Sequence, residues 1–193
     1  YGGLFDHVEG GFARYSTDAI WKVPHFEKML YDNAQLIQLY SVVYSQTPDK
    51  SEYKSAVNKS IKWLQKELKT SYGSYLCSQD ADSEGVEGAF YCWTENELKT
   101  ILKEDFEWFS TYFNISEENI WEEDRYILYK DRGVVDFALA MSWSIDEFQS
   151  KLNDSMDLLK EKRTKRKKPA IDTKSLTSWN ALLIKAFVHA YIA

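Results

Sequence analysis

The sequence predicts an all-α chain built of helical hairpins, with a small β-hairpin near residues 74–93. Three observations carry that prediction. Apolar residues recur at helical spacing over several long stretches, two capping-box patterns open further helices, and the β-prone runs are short and confined to one region. All 193 residues are read as a single helical unit.

Taken in order, Gly2-Gly3 and Gly10-Gly11 mark turns around a short segment over residues 4–8. Pro24 suits a first helical turn, because its missing N–H would have no partner there. From Phe26 to Tyr44 the apolar residues Met29, Leu30, Leu36, Ile37, Tyr40 and Val43 recur near helical spacing, predicting a first long helix up to about Ser45. Pro48 ends it. A second helix is expected over residues 51–69, with Tyr53, Val57, Ile61, Leu64 and Leu68 on one face, antiparallel to the first. Residues 74–78 and 89–93 read as the strands of a hairpin that carries an acidic loop between them. Thr94 with Glu97, and Ser144 with Glu147, are capping boxes that open helices at about Glu95 and Ile145. A short helix over 106–113 lies between them, and the second capped helix ends near Arg163. The basic run 160–168 is expected to complete that helix end as a solvated linker, since cations favour this end of the dipole. A last helix covers 175–192. Its Asn180 and Tyr191 echo Asn33 and Tyr44 at one common offset, which favours an array of helical hairpins.

Composition narrows the function. Aromatic residues make up 16 % of the chain, with seven Trp and thirteen Tyr, which excludes disorder and supplies both core and flat ligand-binding surfaces. A net charge of −6 argues against nucleic-acid and membrane-surface roles, and no apolar run is long enough to span a bilayer. Cys77 and Cys92 fit no metal or redox motif and are expected to be reduced thiols of a cytoplasmic protein. The chain starts at Tyr1 without Met or leader and reads as a piece cut from a longer protein.

Two polar clusters stand out. One gathers His25, Glu27, Asp32 and Asn33, with Arg14, Tyr15 and Asp18 upstream and Trp21 beside it; the other gathers Asp80, Asp82, Glu84 and Glu87. Carboxylates sharing a cleft split their pKa values, as sugar hydrolysis requires, while a His beside a carboxylate suits the proton transfer of an epimerisation. A structural role competes: Asp32 and Asn33 could satisfy loop amides, and the acidic loop could be solvated. Its alternating oxygens fall short of EF-hand spacing, so no metal and no cofactor is expected.

The blocks from Gly2 to Ser16 and from Trp21 to Asn33 resemble the YyaL-like family, which includes the spermatogenesis-associated thioredoxin-like proteins. The acidic loop Gln79 to Gly88, followed by Phe90, Tyr91, Trp93 and Thr94, is similar to its second hallmark, and Leu176 to Asn180 to its third. The resemblance implies a thioredoxin-like domain followed by an (α/α)6 toroid of the six-hairpin glycosidase or N-acylglucosamine 2-epimerase type, of which this chain would be about half. It points to Arg14, Tyr15, His25, Glu27, Asp32, Asn33, Asp80, Asp82, Glu84, Trp179 and Asn180, gathered at one cleft mouth. Glu9, Ala13, Thr173 and Ala181 depart from the family pattern. The resulting expectation is a carbohydrate-active or related metabolic enzyme. His25 or Asp32 would be the base, Asp80 or Asp82 the acid partner, and Arg14, Tyr15, Trp21, Glu27, Asn33, Glu84, Trp179 and Asn180 the substrate contacts. Its partners would be a small sugar-like substrate, the thioredoxin-like domain and, through an exposed apolar edge, a second copy. The competing expectation is a non-catalytic scaffold serving the thioredoxin-like domain.

Overall fold

The computed structural model describes residues 2–193, about half of them helical. Strands β1 (Tyr15–Ser16), β2 (Pro24–His25) and β3 (Lys28–Met29) lead into helix α1 (Leu30–Gln46), and α2 (Ser51–Glu67) follows. Strands β4 (Ser78–Gln79), β5 (Asp82–Ser83), β6 (Val86–Glu87) and β7 (Trp93–Thr94) then precede α3 (Glu95–Leu102) and α4 (Phe106–Tyr112). Strand β8 (Arg125–Tyr126), helices α5 (Val134–Ala140) and α6 (Ile145–Arg163), strand β9 (Ile171–Asp172) and helix α7 (Thr177–Ile192) complete the order.

The predicted capping box at Thr94 forms in full, and that at Ser144 only as its N-cap half. The Thr94 hydroxyl accepts the Glu97 amide while the Glu97 carboxylate accepts the Thr94 amide, and Ser144 accepts the Glu147 amide. Helix α5 had no sequence signal; Val134, Phe137 and Ala138 form only two turns of apolar face.

Helix α1 starts later than Pro24 suggested. Residues 24–29 are extended, and their exposure alternates: Pro24, Phe26 and Lys28 are buried, His25, Glu27 and Met29 half-exposed. Pairing explains why extension wins over helix. Tyr15 and Ser16 lie opposite His25 and Pro24, while Lys28 and Met29 lie opposite Gln79 and Ser78, so both ends of the segment gain ladder partners.

The expected pairing of 74–78 with 89–93 is also corrected. Strand β4 instead joins β3 and β9 in a three-stranded antiparallel sheet, and Trp93–Thr94 pairs with Arg125–Tyr126. The hairpin of this region is shorter and lies inside the acidic loop, where Asp82 faces Glu87 and Ser83 faces Val86. Cys77 and Cys92 are buried free thiols.

The two largest apolar cores among the described residues lie between helices. One packs Leu30, Ala34, Ile37, Trp63, Leu64, Leu183 and Ala186 between α1, α2 and α7. The other packs Trp93, Leu98, Phe109, Phe113, Phe137, Phe148 and Leu159 between α3 and α6 and their neighbours. Gly11 shows why a glycine turn is needed beside the first core. Its φ is +81°, and a Cβ there would lie 2.7 Å from the Trp63 ring.

The basic run 160–168 is not simply a solvated linker. Arg163 is buried, its guanidinium holding both Asp6 carboxylate oxygens at 2.9 and 2.7 Å. Arg166 donates to the carbonyls of Ala89, Phe90 and Cys92 and to Glu97, with its guanidinium 3.9 Å from the Trp93 ring centroid. These bonds tie the end of α6 to the loop before α3, which spacing along the chain could not reveal.

Candidate functional site

Alternation along residues 24–29 sends two sets of polar groups to opposite faces. On the outer face His25 Nδ1 lies 2.7 Å from Glu87 Oε1, and that oxygen also accepts the Phe26 amide at 3.2 Å. A carboxylate oxygen accepts, so the tautomer that fits this contact carries its proton on Nδ1 and presents Nε2 as the acceptor nitrogen. Nε2 lies 3.7 Å from Glu27 Oε2. The Tyr15 ring, its cross-strand partner, stacks on the imidazole with centroids 5.1 Å apart.

Arg14 joins this group to α1. Its guanidinium is 3.5 Å from Glu27, 4.0 Å from Asp32 and 3.1 Å from the Tyr31 hydroxyl, and it lies over the Tyr15 and Tyr31 rings. Asp32 sits in the first turn of α1 with a buried Oδ2 that has no hydrogen-bond partner among the described residues. Burial raises its carboxyl pKa, against the attraction of Arg14. Trp179, at the start of α7, packs against Tyr31 with ring centroids 4.8 Å apart. Arg14, Tyr15, His25, Glu27, Asp32 and Trp179 are thus brought together.

The other sequence-derived candidates are placed differently. Asn33 is fully buried; its Oδ1 accepts the Phe12 amide at 2.7 Å and its Nδ2 donates to the Phe12 and Met29 carbonyls. Asn180 does the same for Tyr75 and Leu176. Both asparagines occupy the fourth position of their helices and clamp a distant chain segment, so their shared sequence context reflects a backbone clamp rather than a ligand contact. Asp80 turns Oδ1 onto the adjacent Ala81 amide at 2.7 Å. Asp82 and Glu84 are exposed, Glu84 at the hairpin tip with φ +57°. Among the described residues none of these three carboxylates bonds to the His25 group, although Asp82 stands across the ladder from Glu87. Trp21 is 61 % exposed on a loop held by Asp18, away from the imidazole contacts.

Two contributions are not legible from sequence spacing. Glu87 belonged to the acidic cluster by sequence, but only folding makes it the carboxylate that binds His25. On the inner face, Lys28 donates to Asp6 at 2.9 Å and to the Gly10 carbonyl, and Arg163 completes a buried triad. A buried lysine two residues after another inward-facing position is the signal that could have exposed it.

The fold and this site define a helix-dominated protein with a half-exposed histidine set between carboxylates on an aromatic surface. No family model matches the chain. It is 32 % identical to an uncharacterised protein of Caenorhabditis elegans, with 100 % of this chain and 30 % of that protein aligned. It is also 32 % identical to spermatogenesis-associated protein 20 of Homo sapiens and of Rattus norvegicus, with 96 % and 98 % of this chain and 27 % of each relative aligned. The chain therefore spans less than a third of the length of these relatives.

Proposed function

We propose that this chain forms the proton-transfer site of a carbohydrate-active or related metabolic enzyme, of the sugar-epimerase type rather than the glycosidase type. The observation that carries the reading is His25, fixed through Nδ1 by Glu87 and facing Glu27 through Nε2. A glycosidase needs two carboxyl groups flanking one bond, whereas proton abstraction beside a carbonyl needs one oriented base with a proton-holding neighbour. In the proposed reaction Nε2 takes the proton from the carbon next to an open-chain sugar carbonyl. The electron pair passes to the carbonyl oxygen, and the proton returns to the opposite face. Glu87 fixes the tautomer and stabilises the imidazolium that forms, and Glu27 holds or relays the proton. Tyr15, Tyr31 and Trp179 offer ring faces to the sugar.

This reading keeps the chain as part of an (α/α)6 toroid in a longer YyaL-like protein that also carries a thioredoxin-like domain. The outward side of α7 supports it: Ile184, Val188, Tyr191 and Ile192 are exposed and would be covered by further hairpins or a second copy. Among the described residues no helix is long and apolar enough to cross a membrane.

The test is solvent exchange. The protein is incubated in D2O with a panel of aldoses, ketoses and amino sugars, and deuterium at the carbon beside the carbonyl is followed by NMR. Wild type should exchange at least one sugar, and His25→Gln should lose about a hundredfold or more of the rate. Sugar binding without exchange would favour the scaffold reading, and exchange unaffected by His25→Gln would defeat the proposed base.

A further inference from the structure

The outer site has one guanidinium, and that group is already engaged. Arg14 lies between Glu27 and Asp32, donates to the Tyr31 hydroxyl and rests over two phenol rings. Around it and His25 stand the carboxylates of Glu27, Asp32 and Glu87, with Asp82 directly across the ladder from Glu87. The neighbouring cations of the same segment do not help. Lys28 points to the opposite face and is bound to Asp6, and Lys22 is bound to Asn119. The site therefore holds more negative than positive charge, in half-exposed surroundings where such a field is only partly screened.

We infer, building on the sugar reading above, that this site selects non-anionic sugars, neutral or amine-bearing, and rejects phosphorylated and carboxylated ones, with Arg14 as the specificity-determining residue. A phosphate needs a donor fork that is free to pair with it. Here the fork serves two carboxylates of the site itself, so an incoming phosphate must displace them or face them unpaired. An ammonium or hydroxyl group meets the reverse situation, since Glu27, Asp32 and Glu87 are acceptors and the Tyr15 ring face favours a cation.

Binding measured on the intact chain by ligand-observed NMR separates the possibilities without requiring turnover. The probes are glucose, mannose and glucosamine, each against its 6-phosphate, at low salt and at ~0.15 M salt. The free sugars should bind about tenfold or more tighter than the phosphates, and the gap should narrow as salt rises. Glu27→Gln, alone and with Asp32→Asn, should release Arg14 and close most of the gap, and the single variant serves if the double variant fails to fold. Phosphates binding as tightly as the free sugars, or a gap that ignores salt and both variants, would overturn the selectivity while leaving the sugar reading intact. No binding of any sugar at any salt would overturn both.

Discussion

The two faces of residues 24–29 carry ionic clusters of similar composition and opposite consequence. Inward, Lys28 meets Asp6 and Arg163 with side chains 3, 7 and 1 % exposed. Outward, His25, Glu27 and Arg14 are 28, 24 and 40 % exposed. Burial makes each member of the inner cluster depend on the others, because a lone charge there has no water to replace its partner. The outer cluster keeps solvent access, so its groups can meet a ligand at small cost to the fold. One strand thus separates anchorage from chemistry by its period of two.

Predictions that test this contrast begin with the inner face. Asp6→Ala removes the carboxylate shared by buried Lys28 and Arg163, leaving them only the more distant Glu9, and should destabilise the fold by ~3–5 kcal/mol, read by urea unfolding. An Asp6 variant as stable as wild type would show that the triad does not anchor the strand.

Acid should act on the same region. His7 is buried, hydrogen-bonded to the Gly2 carbonyl and close to Lys130, and burial chiefly lowers its pKa from 6.5 to about 3. The unfolded chain therefore binds this proton more readily, so the contribution is present above pH ~6.5 and is lost as pH falls toward 3. Burial alone would raise the Asp6 carboxyl, but Arg163 and Lys28 outweigh it and hold it well below 3.8, which adds a loss of the same sign at lower pH. Stability should drop by a few kcal/mol, on the order of the His7 shift, between neutral and pH ~4. His7→Gln should flatten the upper part of that profile.

The two asparagine clamps grade burial more finely. Asn33→Ala removes buried hydrogen bonds to the Phe12 amide and to the Phe12 and Met29 carbonyls and should cost ~2–3 kcal/mol, while Asn180→Ala, partly exposed, should cost ~1 kcal/mol. Equal losses would mean that burial does not set their difference. The smallest stability effect belongs to the outer face: His25→Gln should shift stability by less than ~1 kcal/mol, measured by thermal unfolding, while removing the deuterium exchange. A large loss of stability would move His25 to the structural side of the comparison.

Much of the site was legible because it is local in sequence. Arg14, Tyr15, His25, Glu27 and Asp32 lie within one short stretch, and the strand pairing brings them together. Glu87 was legible only as an acidic residue, since its contact with His25 spans 62 positions. Asp80 and Asp82 looked equivalent to it by type. Only the folded contact shows that Glu87 reaches the imidazole, while Asp82, its partner across the ladder, and Asp80 stay exposed without bonding to it. The Asn33 and Asn180 echo was visible as a pattern, but its meaning as a backbone clamp required the partners Phe12 and Tyr75.

Sequence alone determined the long helices and both capping sites, because helical periodicity and N-terminal hydrogen bonding act within a few residues. It also determined the crowding of ionisable groups around His25. Tertiary structure decided that residues 24–29 are extended, that Arg163 lies in the core, and which carboxylate holds the histidine. Those outcomes depend on pairing and burial between segments far apart in the chain, and the free energy of each contact exists only once its partner has arrived.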